Sequence, residues 1–276
     1  MLALKIFSDT PTDLASAIVD RTISDNLGLE VLLITPSGHK VDLASVSGWD
    51  STLLAPISHK TLHMNHHGSE GWRILEPEVR YSVLADISDM HSLGIAKGVM
   101  HYHHEFPLEQ RRKEALAKNL VELNCIAEDN AVTFFLENTL VQDGKVSITL
   151  YWDILTIIQQ RNLANLGFCF DIGHAKAFSD TTLPGWLQLL DYAKESRIPL
   201  HFHLHNNDGT ADNHLSFRKA ELKGLNQGDT FTGGMPYMDV VAHILKTYSG
   251  LKLLEVGANE AIPGLDWTQA QLARLA

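Results

Sequence analysis

Cysteine is almost missing from this chain: two occur in 276 residues, Cys125 and Cys169. They are too few for a disulfide framework, and no Cys-x-x-Cys spacing offers a zinc or redox motif. Each is expected to be a buried free thiol. Long apolar runs are absent as well. Nothing reaches the roughly 18 consecutive apolar residues of a membrane span. The opening MLALKIFSDTP also lacks the basic-then-apolar layout of a secretory signal. A cytoplasmic chain with no membrane partner is the expectation. Positive charge is scarce: 22 Lys and Arg against 33 Asp and Glu give a net charge of -11. That balance disfavours nucleic acid as a partner. The five tryptophans are scattered, without the interleaved basic stripe that grips single strands. No glycine-rich phosphate loop follows the first strand-like run, and no Ser or Cys sits beside a base in a nucleophile motif. A homo-oligomer is compatible with this composition.

Histidine, by contrast, is plentiful, with fifteen in the chain. Most lie near the ends of strand-like runs. The densest stretch is Leu200 to Leu215, LHFHLHNNDGTADNHL. It reads as a strand (Leu200 to Leu204) running into a loop, so His201, His203 and His205 share one face. The loop adds Asp208, Asp212 and His214. Imidazoles and carboxylates that converge at a strand end suit a divalent metal.

The rest of the chain alternates strand and helix. Strands are expected at Leu2–Ser8, Glu30–Thr35, His59–His67, Lys97–His104, Ala131–Asn138, Leu166–Asp171, Leu200–Leu204 and Leu251–Gly257. Helices are expected from a Thr10-Pro11-Thr12-Asp13 cap to about Asp25 with Gly28 as its stop, then at Pro77–Met90, Leu108–Asn124, Ile148–Asn162, Pro184–Glu195 and Tyr237–Tyr248. Eight strand units in a chain of this length, with no linker to split it, predict an α/β fold. The expected form is a single (β/α)8 TIM barrel spanning residues 1–276. An open doubly wound sheet is the runner-up.

Such barrels carry their sites at the C-terminal strand ends. Here those ends offer His63 or His66, His101 or His103, Glu137, Asp171, His203 or His205, and Glu255. A buried carboxylate costs several kcal/mol unless paired or coordinated. Three of them closing apolar strands therefore ask for a cation. The histidines left over (His66, His67, His103, His104, His201, His205) are candidates to orient the ligands, and Asn138 is either a substrate contact or a turn residue.

The pieces FFLENT (Phe134 to Thr139), GFCFDIGHA (Gly167 to Ala175), HLHNNDGTADNHL (His203 to Leu215) and LLEVG (Leu253 to Gly257) occur in one order across nearly the whole chain. At these residues the sequence resembles the endonuclease IV and xylose isomerase-like barrel superfamily, whose members are often labelled sugar phosphate isomerase/epimerase. The resemblance implies a divalent metal, zinc foremost, with manganese, magnesium or cobalt as alternatives. For an isomerase it implies one metal held by Glu137, Asp171, His203 and Glu255, with His205 the alternative to His203. Glu137 and Glu255 would double as acid and base, moving a proton between adjacent carbons of a small sugar-like substrate through an enediolate. His174 would help to hold substrate or metal. For the endonuclease IV branch it implies three zinc ions, with His63, His101, His174, Asp212 and His214 added and abasic-site DNA or a small phosphoester as substrate. A barrel that binds metal and ligand without catalysis is the third reading. Two departures from the family pattern stand out. Asn226-Gln227-Gly228-Asp229 replaces a Gly-Glu-Gly, and extra residues occur at Ser216 to Lys223. Those residues bring Arg218, Lys219 and Lys223 as candidates to grip an anion, against the reading of a solvated loop.

Overall fold

A computed structural model of the chain describes residues 1–34, 40–43, 46, 51–65, 69–102, 109–139 and 147–275, with the side chains of 51 and 109–112 left out. Eight parallel strands close into a barrel in simple sequence order: β1 (Leu2–Phe7), β2 (Gly28–Leu32), β3 (Lys60–His63), β4 (Lys97–His101), β5 (Thr133–Glu137), β6 (Leu166–Asp171), β7 (Leu200–Leu204) and β8 (Leu251–Leu254). Closure comes from pairing Leu2 and Ala3 with Lys252 and Leu253. The single TIM barrel expected from the alternation is therefore the fold, and the open sheet is excluded.

Strand side chains alternate between two environments. Residues such as Leu4, Ile6, Leu29, Val31, Phe134, Phe168, Phe170 and Phe202 belong to one large apolar core that also takes in the helix faces. Val99, Phe135 and Cys169 form a small separate apolar cluster. Polar residues from the same strands are buried too: Lys5, Glu30, Thr61, His201 and His203 are each at most 2 % exposed. Barrel interiors are ordinarily packed with branched apolar side chains. This one holds a polar layer as well, with charge concentrated below the C-terminal strand ends.

Outer helices include Thr12–Ser24, Pro77–Ser92, Glu109–Asp129, Ile148–Arg161, Leu183–Glu195, Tyr237–Thr247 and Ala258–Leu275. Among the described residues, no helix is long and apolar enough to cross a membrane. Several boundaries differ from the expectation. The first helix ends at Ser24, with Asn26 taking the positive φ of 51° that stops it. Gly28 is thus freed to open β2, where a Cβ would come within 2.2 Å of Leu251. Ser216 to Lys223 is no extra loop: Ser216 caps a helix, Phe217–Leu222, by accepting the Lys219 amide. The last helix is not among the expected ones, because Pro263 sits inside it and removes one helical hydrogen bond. Cys169 is buried as expected, but Cys125 is exposed. Its helix buries Leu116, Leu120, Leu123 and Ala127, and Cys125 falls on the opposite face of that stripe.

Candidate metal centre

The strand ends bring ligand atoms together in adjoining groups, each with its atoms within 4.8 Å of one another. The central group is Glu137, Asp171, His203 and Glu255, all buried. His203 Nδ1 lies 2.9 Å from Glu255 Oε2, 3.1 Å from Glu137 Oε1 and 3.7 Å from Asp171 Oδ2. On one side, His63 Nε2 stands 3.1 Å and His101 Nε2 3.6 Å from Glu137 Oε2. Glu137 therefore divides its two oxygens between two groups. On the other side come His174, His205, Asp212 and His214. Asp212 Oδ2 lies 2.8 Å from His214 Nε2 and 3.3 Å from His174 Nε2.

Local chain geometry explains how these side chains are aimed. Asp171 ends β6 and caps the short helix Ile172–Phe178, accepting the His174 amide at 2.6 Å. Asn138 clamps β5 to β6: its side chain accepts the Asp171 amide at 2.7 Å and donates to the Asp171 carbonyl at 2.8 Å. That gives Asn138 a structural role. Asn207 gathers the loop, accepting from the Asn213 and His214 amides.

A metal-ligating histidine ordinarily offers one ring nitrogen to the ion while the other is held by an outer acceptor. Among the described residues, His63, His174, His214 and His203 fit that rule. His63 Nδ1 meets the Met64 carbonyl at 3.2 Å, His174 Nδ1 the Asn138 carbonyl at 2.9 Å, and His214 Nδ1 the Glu255 carbonyl at 3.3 Å. For His63 and His214 Nε2 is the nitrogen nearest a carboxylate, whereas His174 has Nε2 3.3 Å from Asp212 and Nδ1 3.3 Å from Glu137. His203 is turned round, with Nδ1 in the central group and Nε2 3.3 Å from the Glu30 carboxylate. The donor set of nitrogen and carboxylate oxygen suits zinc and manganese-class ions, so the residues present fit a divalent metal.

Electrostatics point the same way. Burial alone would raise Glu137, Glu255 and Glu30, but the His203 imidazole and its neighbours hold all three well below the usual carboxylate range. Burial would likewise depress His203 and His174. Instead, the acids around them push both well above the ordinary imidazole value. Burial drives the Cys169 thiol upward, so it stays protonated. Without a metal, protons carry the positive charge of this centre, and a cation would displace them.

The structure thus brings together Glu137, Asp171, His203, Glu255, His63, His101, His174, Asp212 and His214. It places His203 in the central group, whereas His205 faces Asp171 at 3.0 Å and stacks on His214 with centroids 4.3 Å apart. His66 and His103, the alternatives to His63 and His101, lie outside the described residues, as do His67 and His104. Among the described residues, Asp208 joins none of the ligand groups and binds Thr210 in an exposed turn. Arg218 and Lys219 are committed to Glu260, at 2.6 and 3.5 Å, and Lys223 is exposed. For Arg218 and Lys219 this sets the anion grip aside, and the exposure of Lys223 accords with the solvated reading. Among the described residues, two buried charges that touch this centre, Glu30 and Lys5, are not among the candidates drawn from the sequence. Glu30 on β2 meets His201, His203 and Thr61, and Lys5 on β1 is hydrogen-bonded to Glu255. Their only sequence signal is a lone charge within each apolar run.

Residues 15–276 match the family described as xylose isomerase-like TIM barrel. The chain belongs to that family, as its motifs suggested. Solved structures agree in fold. A D-tagatose 3-epimerase-like protein superposes with a TM-score of 0.62 at 18% identity, covering 99% of both chains. A Thermus thermophilus protein, TTHB071, soaked with ZnCl2, gives 0.64 at 24% identity over 100% of this chain and 98% of that one. D-allulose 3-epimerase from Methylomonas sp., in complex with D-allulose, gives 0.54 at 12% over 98% and 89%. No curated protein matches the sequence significantly.

Proposed function

We propose that the chain is a divalent-metal-dependent isomerase or epimerase acting on a small sugar or related hydroxy-keto compound. The observation that carries this reading is the convergence of Glu137 and Glu255, two buried carboxylates from separate strands, on one group with Asp171 and His203. These four residues would hold the ion, with zinc first and manganese, magnesium or cobalt as alternatives. When bound, the metal would polarise the neighbouring hydroxyl and carbonyl oxygens and stabilise negative charge on them.

The chain's own residues supply the proton chemistry. Each glutamate keeps its carboxylate ionised against the cost of burial, so each is available as a base. One takes the proton from the carbon beside the carbonyl while the other takes the proton of the neighbouring hydroxyl. The two protons are then returned, one to the adjacent carbon or the opposite face and one to oxygen, which leaves both glutamates ionised again. His174, whose Nδ1 lies 3.3 Å from Glu137 Oε1, is placed to steady Glu137 or a substrate hydroxyl. A zinc-soaked relative and a relative holding D-allulose are in keeping with this reading. The net charge of -11 also favours a small substrate over a polyanion.

A second reading, a zinc phosphoesterase with three ions, is favoured by the assembly of the flanking groups His63–His101–Glu137 and His174–Asp212–His214. Clustered ions activate water and clamp a phosphoester. Incubating metal-loaded protein with a panel of keto-sugars in deuterated water separates the readings. Deuterium entering at the carbon beside the carbonyl, and lost in Glu255→Gln, is the expected outcome. Cleavage of phosphoesters or abasic DNA without exchange would replace it with the hydrolase. Metal uptake with neither activity would leave a binding barrel.

A further inference from the structure

Three of the four outward-held histidines lean on backbone carbonyls, which no substitution can remove. His203 is the exception. Its Nε2 is met by a side chain, Glu30, contributed by β2 on the far side of the barrel (3.3 Å to Oε1, 3.4 Å to Oε2). Glu30 is 0 % exposed and sits at mid-strand, paired in register with Lys5 and Thr61. Thr61 donates its hydroxyl to Glu30 Oε2 at 3.0 Å, and His201 Nε2 lies 3.2 Å from the same oxygen. Oε2 is therefore held by hydrogen bonds from Thr61 and His203, with His201 close by. An ionised carboxylate can only accept, so a proton must stay on His203 Nε2, and Nδ1 is the nitrogen left to face Glu137, Asp171 and Glu255.

We infer that Glu30 is the positioning residue of this centre: it sets the His203 tautomer and holds Nδ1 toward a divalent cation in the central group. The inference rests on that group being the metal site. A negative charge behind the imidazole makes it a better donor to the ion, and losing such a partner ordinarily weakens metal binding by roughly 10- to 100-fold. Glu30→Gln keeps the shape and an acceptor oxygen but removes the charge. Glu30 is not one of the central four, although its carboxylate also lies within 4.8 Å of ligand atoms on His63, His203 and Glu255, so its effect should be read in the metal and in His203.

The test is a calorimetric titration of the metal-free chain with Zn2+, wild type against Glu30→Gln. It is combined with 15N spectra of histidine-labelled, zinc-loaded wild type, with the His203 signal assigned by its loss in His203→Gln. The expected result is a protonated Nε2 and a metal-bound Nδ1 on His203, with zinc affinity roughly tenfold weaker or more in the variant. Two outcomes overturn the role of Glu30 while leaving the metal site intact. One is equal affinity in a folded Glu30→Gln; the other is a His203 bound through Nε2 in the wild type. A wild type that takes up no zinc instead overturns the metal reading itself. Should Glu30→Gln fail to fold, the wild-type spectrum alone decides.

Discussion

Lys5, on the first strand, is hydrogen-bonded to Glu255, which follows the last strand 250 residues later. Both side chains are buried, and the pair lies across the seam where β1 meets β8. Burial alone would disfavour the Lys5 ammonium, but Glu255 and the nearby Glu30 more than offset it and raise its pKa. The pair leaves Glu255 Oε2 as the oxygen directed at His203. Replacing Lys5 by Met removes the partner of a buried carboxylate, which costs about 3–5 kcal/mol. The metal-free variant should lose stability on that scale in urea denaturation, and zinc should restore part of it. A variant as stable as wild type would refute the role given to this pair.

Metal-free and metal-loaded protein should respond oppositely to pH. His203 and His174 are raised well above 6.5 in the folded chain. Their contribution is therefore fully present below 6.5 and lost as pH rises through the raised values. Glu137 and Glu255 are held well below 4.5. Theirs is present above 4.5 and lost as pH falls through the depressed values. The metal-free chain should accordingly weaken on the alkaline side of neutrality. A cation competes with protons for the same imidazoles, so the gain in stability from zinc should grow over that window. Denaturant midpoints across about pH 6 to 9, with and without zinc, check the sign.

Gly173 has no room for a side chain. A Cβ there would lie 2.0 Å from His205 Cε1, and that ring is buried and stacked on His214. Gly173→Ala should destabilise the chain by roughly 1–3 kcal/mol as the ring is displaced. It should also disturb the His174–Asp212–His214 group more than the central one. Chemical denaturation gives the first result, and histidine NMR spectra the second.

Substitutions in the flanking groups separate the two enzymatic readings. His63→Ala and His101→Ala should leave sugar isomerisation nearly intact, because neither belongs to the central four. In a three-ion hydrolase the same changes should be severe. Glu255→Gln should abolish turnover in either case while the barrel stays folded, as circular dichroism would show.

Much of this is legible in the sequence. The strands Leu166–Asp171 and Leu200–Leu204 have the bounds their alternation predicts, because an acid, a proline or a loop signal punctuates each end. β8 is shorter than its apolar pattern suggests: its ladder stops at Leu254, leaving Glu255 just past the last paired residue. Glu137, Asp171, His203 and Glu255 can be found because each closes an apolar run, and His174, Asp212 and His214 because they follow two of those runs within a motif. Lys5 and Glu30 cannot, since a single charge in a strand says nothing without its partner. Those partners, Glu255 and His203, stand 250 and 173 residues away. Likewise, only the helix phase set by Leu116, Leu120 and Leu123 shows that Cys125 must face out.

Glu137, Asp171, His203 and Glu255 are proposed to hold a divalent ion for proton-transfer chemistry. Elemental analysis of protein purified without chelators tests this most directly, alongside Asp171→Asn prepared in the same way. Close to one zinc- or manganese-class ion per chain, lost in the variant, is the predicted result. Close to three zinc ions would contradict the isomerase in favour of the hydrolase. A folded wild type that neither carries nor takes up any divalent ion would contradict a metal-dependent role for this barrel.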